Sequence, residues 1–129
     1  MCVFCNIDKN LVLLESKYRI VLANYFPLGK YSLLATPKNH LYSITDLTIE
    51  ESNDLMQIIA LAVNNIKSAI KLEGVNVFLN EGEIAGQTVP HLHFHIVART
   101  KNDGLENFKR NGEKIAISKK DLEILKNLF

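Results

Sequence analysis

The chain has 129 residues, of which 47% are hydrophobic and 22% charged, and its net charge at pH 7 is +1. This length suits a single domain over residues 1–129, and the balanced charge argues against a protein held to nucleic acid or to a membrane by bulk electrostatics. No stretch reaches the roughly 20 apolar residues that cross a bilayer, and the N-terminus does not resemble a signal peptide. We therefore expect a cytoplasmic globular protein.

The first part of the chain predicts three strands. Residues 11–15 and 18–24 are apolar enough to form the first two, and residues 31–36 form the third, which Pro37 ends. Short apolar runs bounded by turn residues are typical of strands.

A long amphipathic helix is predicted over residues 48–71. The segment Thr48-Ile49-Glu50-Glu51 has the form of a capping box, in which the first and fourth side chains bond to each other's backbone N–H groups. Apolar residues then recur at helical spacing, and Gly74 is expected to close the helix.

The second half predicts two further strands and a short helix. Residues 75–79 and 91–97 read as strands, joined by a turn-rich loop that begins at 80–86. A polar stretch at 101–114 precedes a helix over 118–128. Strands on both sides of one long helix predict an α+β fold: an antiparallel sheet of about five strands with the long helix packed on it and a short C-terminal helix.

Three of the four histidines alternate along the last predicted strand. In a strand, His91, His93 and His95 point to one face. Histidine can bind a metal, attack as a nucleophile or transfer a proton near neutral pH. The pattern therefore leaves three interpretations open: a catalytic three-histidine zinc site, nucleophilic catalysis, or a polar strand face with little function.

The loop before these histidines favours an anion site. Gly82 and Gly86 allow backbone N–H groups to approach an anion, and Gln87 and Thr88 add side-chain donors. Asn80, at the end of the preceding strand, faces the same pocket if the two strands pair. An ordinary hairpin connection would account for the glycines alone, but a glycine-rich loop that runs into a histidine strand fits phosphate chemistry better.

The two cysteines, Cys2 and Cys5, form a Cys-x-x-Cys pair. In a reducing compartment such a pair serves metal binding, redox chemistry or plain burial. A redox pair of the thioredoxin kind follows a strand and opens a helix. This pair precedes every predicted element, which disfavours redox chemistry.

The chain resembles the histidine triad family of nucleotide hydrolases and transferases. The segment at 85–97, Ala-Gly-Gln-Thr-Val-Pro-His-Leu-His-Phe-His-Ile-Val, is similar to the family signature. Supporting matches are Cys2-Val3-Phe4-Cys5, Pro37-Lys38-Asn39-His40, Gly74-Val75-Asn76-Val77, Asn80-Glu81-Gly82 and Arg99. The motif is specific for the family and says little about the substrate.

The resemblance implies a mechanism. His93 would attack the α-phosphorus of a nucleotide and form a nucleotidyl-histidine. The other ring nitrogen of His93 would donate a hydrogen bond to a carbonyl of the same strand. His95 would bond the phosphate oxygens. Water or another acceptor would then take the nucleotidyl group. The residues that would hold the phosphate, leaving group or ribose are Asn24, Asn80, Gly86, Gln87, Thr88 and Val89, with Asn24 at the ribose. Purine nucleoside phosphoramidates and dinucleoside polyphosphates are the leading substrates, and a homodimer with a continuous sheet is implied.

Zinc-bearing relatives imply a second site at Cys2, Cys5, His40 and His91. Two cysteines and two histidines can close a tetrahedral zinc site. Four protein ligands leave no open coordination position, so this zinc would be structural. His91 would then bind the metal and leave His93 and His95 for catalysis.

One departure from the family supports an alternative function. Many members carry a Gly-His pair where this chain has Tyr31-Ser32, and that histidine supports the nucleophile without contacting substrate. Ser32 can form hydrogen bonds but cannot act as an acid. A nucleotide-binding or scaffold protein with weak or no turnover is therefore the alternative to an active hydrolase.

Overall fold

A computed structural model describes residues 2–105 and 114–129 of the chain. Its strands and helices are β1 (Val12–Glu15), β2 (Arg19–Ala23), β3 (Tyr31–Pro37), α1 (Ile49–Ala69), β4 (Gly74–Leu79), β5 (Phe94–Arg99) and α2 (Lys119–Lys126). The strands form one antiparallel sheet in the order β1-β2-β3-β5-β4. This confirms the predicted α+β fold, its five strands, its long helix and its short C-terminal helix.

Most predicted boundaries agree with the structure to within two residues. Pro37 is the last residue of β3 rather than the residue after it, and it pairs with Arg19. Most of the polar stretch predicted at 101–114 lies outside the described residues. No helix in the described parts of the chain combines the length and the apolar character that crossing a bilayer requires.

The N-terminus of α1 is fixed by the predicted capping box. The Thr48 hydroxyl accepts from the Glu51 N–H, and the Glu51 carboxylate accepts from the Thr48 N–H, both at 3.1 Å. The prediction that Gly74 closes the helix is wrong. The helix ends at Ala69, Ile70 is extended, and Gly74 instead begins β4, because it pairs with Arg99 of β5.

The helix α1 covers one face of the sheet and forms the main core there. Its buried residues are Leu55, Ile58, Ile59, Ala62 and Ile66. They pack with inward-facing strand residues, among them Val21, Leu33 and Ile96. Burial of each such Leu, Ile or Val side chain contributes about 1.5–3 kcal/mol.

The opposite face of the sheet carries a smaller buried cluster. Phe4 from the N-terminal segment packs there with Leu22 of β2 and Leu34 of β3. Leu34 is paired with His95 of β5, so the side chain of His95 shares this face, because paired residues point to the same side. The sheet therefore separates the helix-covered core from the face that carries the histidine.

We expect Thr48→Ala to lower the free energy of unfolding by about 1 kcal/mol, because it removes the oxygen that caps α1. Urea denaturation measures this loss. Thr48→Ser retains the capping oxygen and should remain within about 0.5 kcal/mol of the wild type. Equal losses in the two variants would contradict the capping role.

Candidate functional site

The histidine segment is a strand only in its second half. The strand predicted over 91–97 is wrong at its start, since β5 begins at Phe94. The backbone of Leu92 bonds outside the ladder: its N–H donates to the Leu41 carbonyl at 2.6 Å, and its carbonyl accepts from the Thr36 hydroxyl at 2.9 Å. The rings of His93 and His95 still neighbour each other, with centroids 5.2 Å apart.

Four ligand-type side chains meet beside the first histidine of the segment. Cys2, Cys5, His40 and His91 place one donor atom each within 4.8 Å of one another. The Nδ1 atom of His91 lies 3.4 Å from the sulfur of Cys2, 3.6 Å from that of Cys5 and 3.2 Å from Nδ1 of His40. The sulfur of Cys5 lies 3.1 Å from Nδ1 of His40. These four residues could hold a metal ion.

Hydrogen bonding prepares His91 to be a ligand. Its Nε2 lies 3.0 Å from the Pro37 carbonyl, which can only accept, so this nitrogen carries the proton. Nδ1 then presents its lone pair to the other three donors. Burial lowers the pKa of His91 and so favours the neutral form that metal binding requires.

His93 is held as a neutral imidazole with one nitrogen available. Its Nδ1 lies 2.8 Å from the His91 carbonyl and therefore donates to it, which leaves the lone pair on Nε2. The side chain is 4% exposed and packs against the ring of Phe4, with centroids 4.9 Å apart. Burial lowers the pKa of His93, with the hydrogen bond to His91 acting in the opposite direction.

His95 is positioned by an aromatic neighbour that the sequence analysis missed. Phe78 of β4 is its partner in the ladder, and the two rings stack with centroids 4.5 Å apart and planes 7° apart. A prediction of the register in which β4 pairs with β5 would have placed Phe78 beside His95. Two residues further along β4 from Phe78, Asn80 follows the strand end on the same side.

Asn24 and Ser32 lie together at the ends of β2 and β3. Ser32 is fully buried, and its hydroxyl accepts from the Asn24 side-chain amide at 3.3 Å. The other side-chain atom of Asn24, Oδ1, accepts from the Phe26 N–H at 3.1 Å. The predicted ribose ligand thus has a fixed side chain, half-buried at the start of a turn.

The glycine-rich loop is braced by its own predicted donors. The backbone N–H groups of Gly86 and Gln87 donate to the carbonyls of Glu83 and Gly82. The side chain of Gln87 accepts from the Gly82 N–H at 2.7 Å and donates to the Val89 carbonyl at 3.0 Å. In this conformation Gln87 shapes the loop.

The remaining residues that were predicted to bind the phosphate lie at the surface of the loop or next to it. Thr88 is exposed, and Val89 packs on the cluster of Phe4, Leu22 and Leu34. The Asn80 amide lies beside Gly86, where an added methyl group would come within 3.5 Å of its nitrogen. A groove of about 520 Å³ is lined by Tyr42, Glu83, Gly86, Gln87, Thr88 and Pro90.

Known proteins are similar to this chain in sequence and in fold. The bis(5'-adenosyl)-triphosphatase of Saccharomyces cerevisiae (strain YJM789) is 37% identical over 91 residues, which cover 70% of this chain and 44% of that protein. This chain thus spans less than half the length of that relative. Adenosine 5'-monophosphoramidase HNT1 of S. cerevisiae is 34% identical over 109 residues, covering 81% of this chain and 66% of the relative.

A solved structure has the same fold. A Zn-bound histidine triad family protein from Mycobacterium smegmatis superposes with a TM-score of 0.78 at 24% identity, over 98% of this chain and 91% of that one. The HIT domain model matches residues 6–102, which include His40 and the three histidines of the motif. The chain therefore belongs to the HIT, or histidine triad, domain family.

Proposed function

We propose that this protein cleaves nucleoside-phosphate-X substrates at the α-phosphorus through a nucleotidyl intermediate on His93. The observation that carries the proposal is the hydrogen bond from Nδ1 of His93 to the His91 carbonyl, which leaves a lone pair on Nε2 in a buried, neutral ring. The names of two relatives support phosphorus chemistry, since one is a dinucleoside triphosphatase and the other a nucleoside phosphoramidase.

The proposed reaction has two displacements. Nε2 of His93 donates its lone pair to the α-phosphorus while the bond from phosphorus to X breaks, and X leaves with that electron pair and gains a proton. Water then attacks the phosphorus of the nucleotidyl-histidine, the phosphorus–nitrogen bond breaks, and the ring returns to its neutral state. The products are a nucleoside monophosphate and X–H. Another nucleophile in place of water would give nucleotidyl transfer.

The surrounding residues take the roles expected for substrate binding. His95 contacts the phosphate oxygens, and its ring orientation is fixed by the stack on Phe78. The side chains of Asn80 and Thr88 and the backbone amides of Thr88 and Val89 hold the phosphate or leaving group, and Asn24 holds the ribose. Purine nucleoside phosphoramidates and dinucleoside polyphosphates are the proposed substrates.

A nucleotide-binding protein with weak turnover is the second candidate. The observation that favours it is the buried Ser32, whose hydroxyl is bonded to the Asn24 amide. A hydroxyl in this position cannot carry the positive charge that an imidazole can. Proton delivery to the leaving group would then depend on His95 or on solvent.

We propose further that the metal cluster holds zinc in a structural role. Donor atoms of a tetrahedral zinc with sulfur and nitrogen ligands lie about 3.3–3.8 Å apart, given bond lengths of about 2.0–2.3 Å. Four of the six separations, from 3.1 to 3.6 Å, lie in or close to this range, and all six are within 4.8 Å. A zinc with these four protein ligands has no open position, so it would tie the N-terminal segment and His40 to the histidine segment.

A homodimer is proposed through the exposed edge of the sheet. The strand β4 lies at one end of the strand order, so within residues 2–105 and 114–129 no strand pairs with its outer side, which a further strand could join. Val75 and Val77 on it are exposed, as are Met56 and Leu61 on α1. Pairing of two β4 strands would produce the continuous sheet that the resemblance implies. The proposed compartment is the cytoplasm, whose reducing conditions keep Cys2 and Cys5 reduced and able to bind zinc.

We expect His93→Ala to lower turnover of adenosine 5'-phosphoramidate and diadenosine triphosphate by about 1,000-fold or more, because the attacking nitrogen is lost. Product release measures turnover, and calorimetry should show that the affinity for adenosine monophosphate changes by less than about fivefold. An adenylyl adduct on His93, found by mass spectrometry after an alkaline quench, would identify the nucleophile. Turnover within tenfold of the wild type would contradict this role.

Cys5→Ser is expected to reduce the zinc content from one ion per chain to a small fraction and to lower the melting temperature by about 5–10 °C, because one of the four ligands is weakened. Elemental analysis and thermal unfolding measure the two effects. Val3→Ser is the matched control, since Val3 lies between the cysteines and is exposed. Unchanged metal content in Cys5→Ser would refute the assignment.

Val77→Lys is expected to weaken the dimer by about tenfold or more, since it places a charge on the edge strand where the second chain would pack. Light scattering during size-exclusion chromatography over a dilution series measures the dissociation. Ile115→Lys makes the same kind of change at an exposed position on the C-terminal segment and should leave the dimer intact. The proposed interface fails if both variants dissociate alike.

A further inference from the structure

Glu81 connects two segments that lie far apart in the sequence. One of its carboxylate oxygens accepts from the Ile44 N–H at 2.7 Å, and the other accepts from the Ser43 hydroxyl at 3.0 Å. Both bonds are of the charge-assisted kind, which are stronger than bonds between neutral groups. A single side chain thus joins the beginning of the glycine-rich loop to the segment that follows His40.

The segment that receives Glu81 is itself fixed in place. Ser43 begins a short 3₁₀ turn and forms a capping box with Asp46, whose carboxylate accepts from the Ser43 N–H at 3.0 Å. Two residues earlier, the Leu41 carbonyl accepts from the Leu92 N–H. The segment therefore bonds directly to the backbone between the first two histidines of the motif.

The residue after Glu81 organises the glycine-rich loop. Gly82 has a φ of 92°, and its N–H donates to the side chain of Gln87. Its carbonyl accepts from the N–H groups of Ala85 and Gln87. An anchor at position 81 therefore fixes the residue on which the other loop contacts converge.

We propose that Glu81 is a positioning residue, which holds the loop from Gly82 to Val89 in the conformation that binds the substrate phosphate. The proposal rests on the proposed function, which assigns this loop to the phosphate. Glu81 does not contact the phosphate itself, because one of its carboxylate oxygens accepts from the Ile44 N–H and the other accepts from the Ser43 hydroxyl. The Ile44 N–H and the Ser43 hydroxyl thereby stabilise its negative charge.

If Glu81 holds the loop in place, its loss should change KM more than kcat. Loop donors that bind the nonreacting phosphate oxygens act on the ground state and on the transition state alike, so loss of their alignment raises KM with little change in kcat. A residue that contributes only to global stability would lower the melting temperature and leave KM unchanged. The two roles can therefore be separated by measurement.

The test compares three variants in the full chain with its metal bound. Glu81→Ala removes both bonds to the 43–44 segment. Glu81→Gln keeps the shape and can still accept from the Ile44 N–H. Glu73→Ala is the control, because it removes a glutamate whose carboxylate likewise accepts from a backbone N–H, that of Lys101 at 2.6 Å, at the end of β4 opposite to the loop.

We expect Glu81→Ala to raise the KM for adenosine 5'-phosphoramidate and the Kd for adenosine monophosphate by about tenfold, with kcat within about threefold. Amide hydrogen exchange in residues 83–89 should quicken by about tenfold, and Glu81→Gln should recover most of both effects. Glu73→Ala should alter neither KM nor exchange in the loop, whatever its melting temperature.

Wild-type exchange rates in the loop of Glu81→Ala would overturn the proposal, as would an equal rise in KM in Glu73→Ala. If the wild type neither turns over nor binds any nucleotide offered, the proposed function fails, and the exchange comparison still decides whether Glu81 holds the loop. The two failures are thus distinguishable.

Discussion

The site depends on the contacts that His91 makes through its two ring nitrogens and its backbone carbonyl. Its Nε2 donates to the Pro37 carbonyl at the end of β3, its Nδ1 faces the other three metal-type donors, and its own carbonyl accepts from Nδ1 of His93. The Pro37 carbonyl thereby sets the tautomer of His91, and the His91 carbonyl sets that of His93. The proposed metal site and the proposed nucleophile are consequently not independent, because a shift of the His91 backbone would move the acceptor on which His93 relies.

Much of the fold could be predicted because its signals are local. The capping box at Thr48 and the helical spacing after it depend on residues within a few turns, and they placed α1 to within two residues at each end. The grouping of Cys2, Cys5, His40 and His91 came from the resemblance to zinc-bearing relatives, and the structure brings these side chains together. A spacing pattern shared with a family can therefore predict neighbours that are far apart in the chain.

The features that were missed depend on partners that no local pattern reveals. The start of β5 is displaced to Phe94 because Leu92 bonds to Leu41 and Thr36, which are about fifty residues away in the sequence. The hydrogen bonds of the Gln87 side chain to Gly82 and Val89, which brace the loop, also have no signal in the spacing of residues. The contact of Glu81 with Ile44 spans 37 residues and likewise has no spacing signal.

The side chains of β5 alternate between the two faces of the sheet, and this restricts which insertions and deletions the sequence can tolerate during evolution. Ile96 is buried under α1, while His95 points to the opposite face. A strand alternates with a strict period of two, so the insertion or deletion of one residue in β5 would exchange the two sets of side chains. Such a change would put an imidazole into the apolar core and an isoleucine into the site at once. Length changes should therefore be confined to the connecting loops.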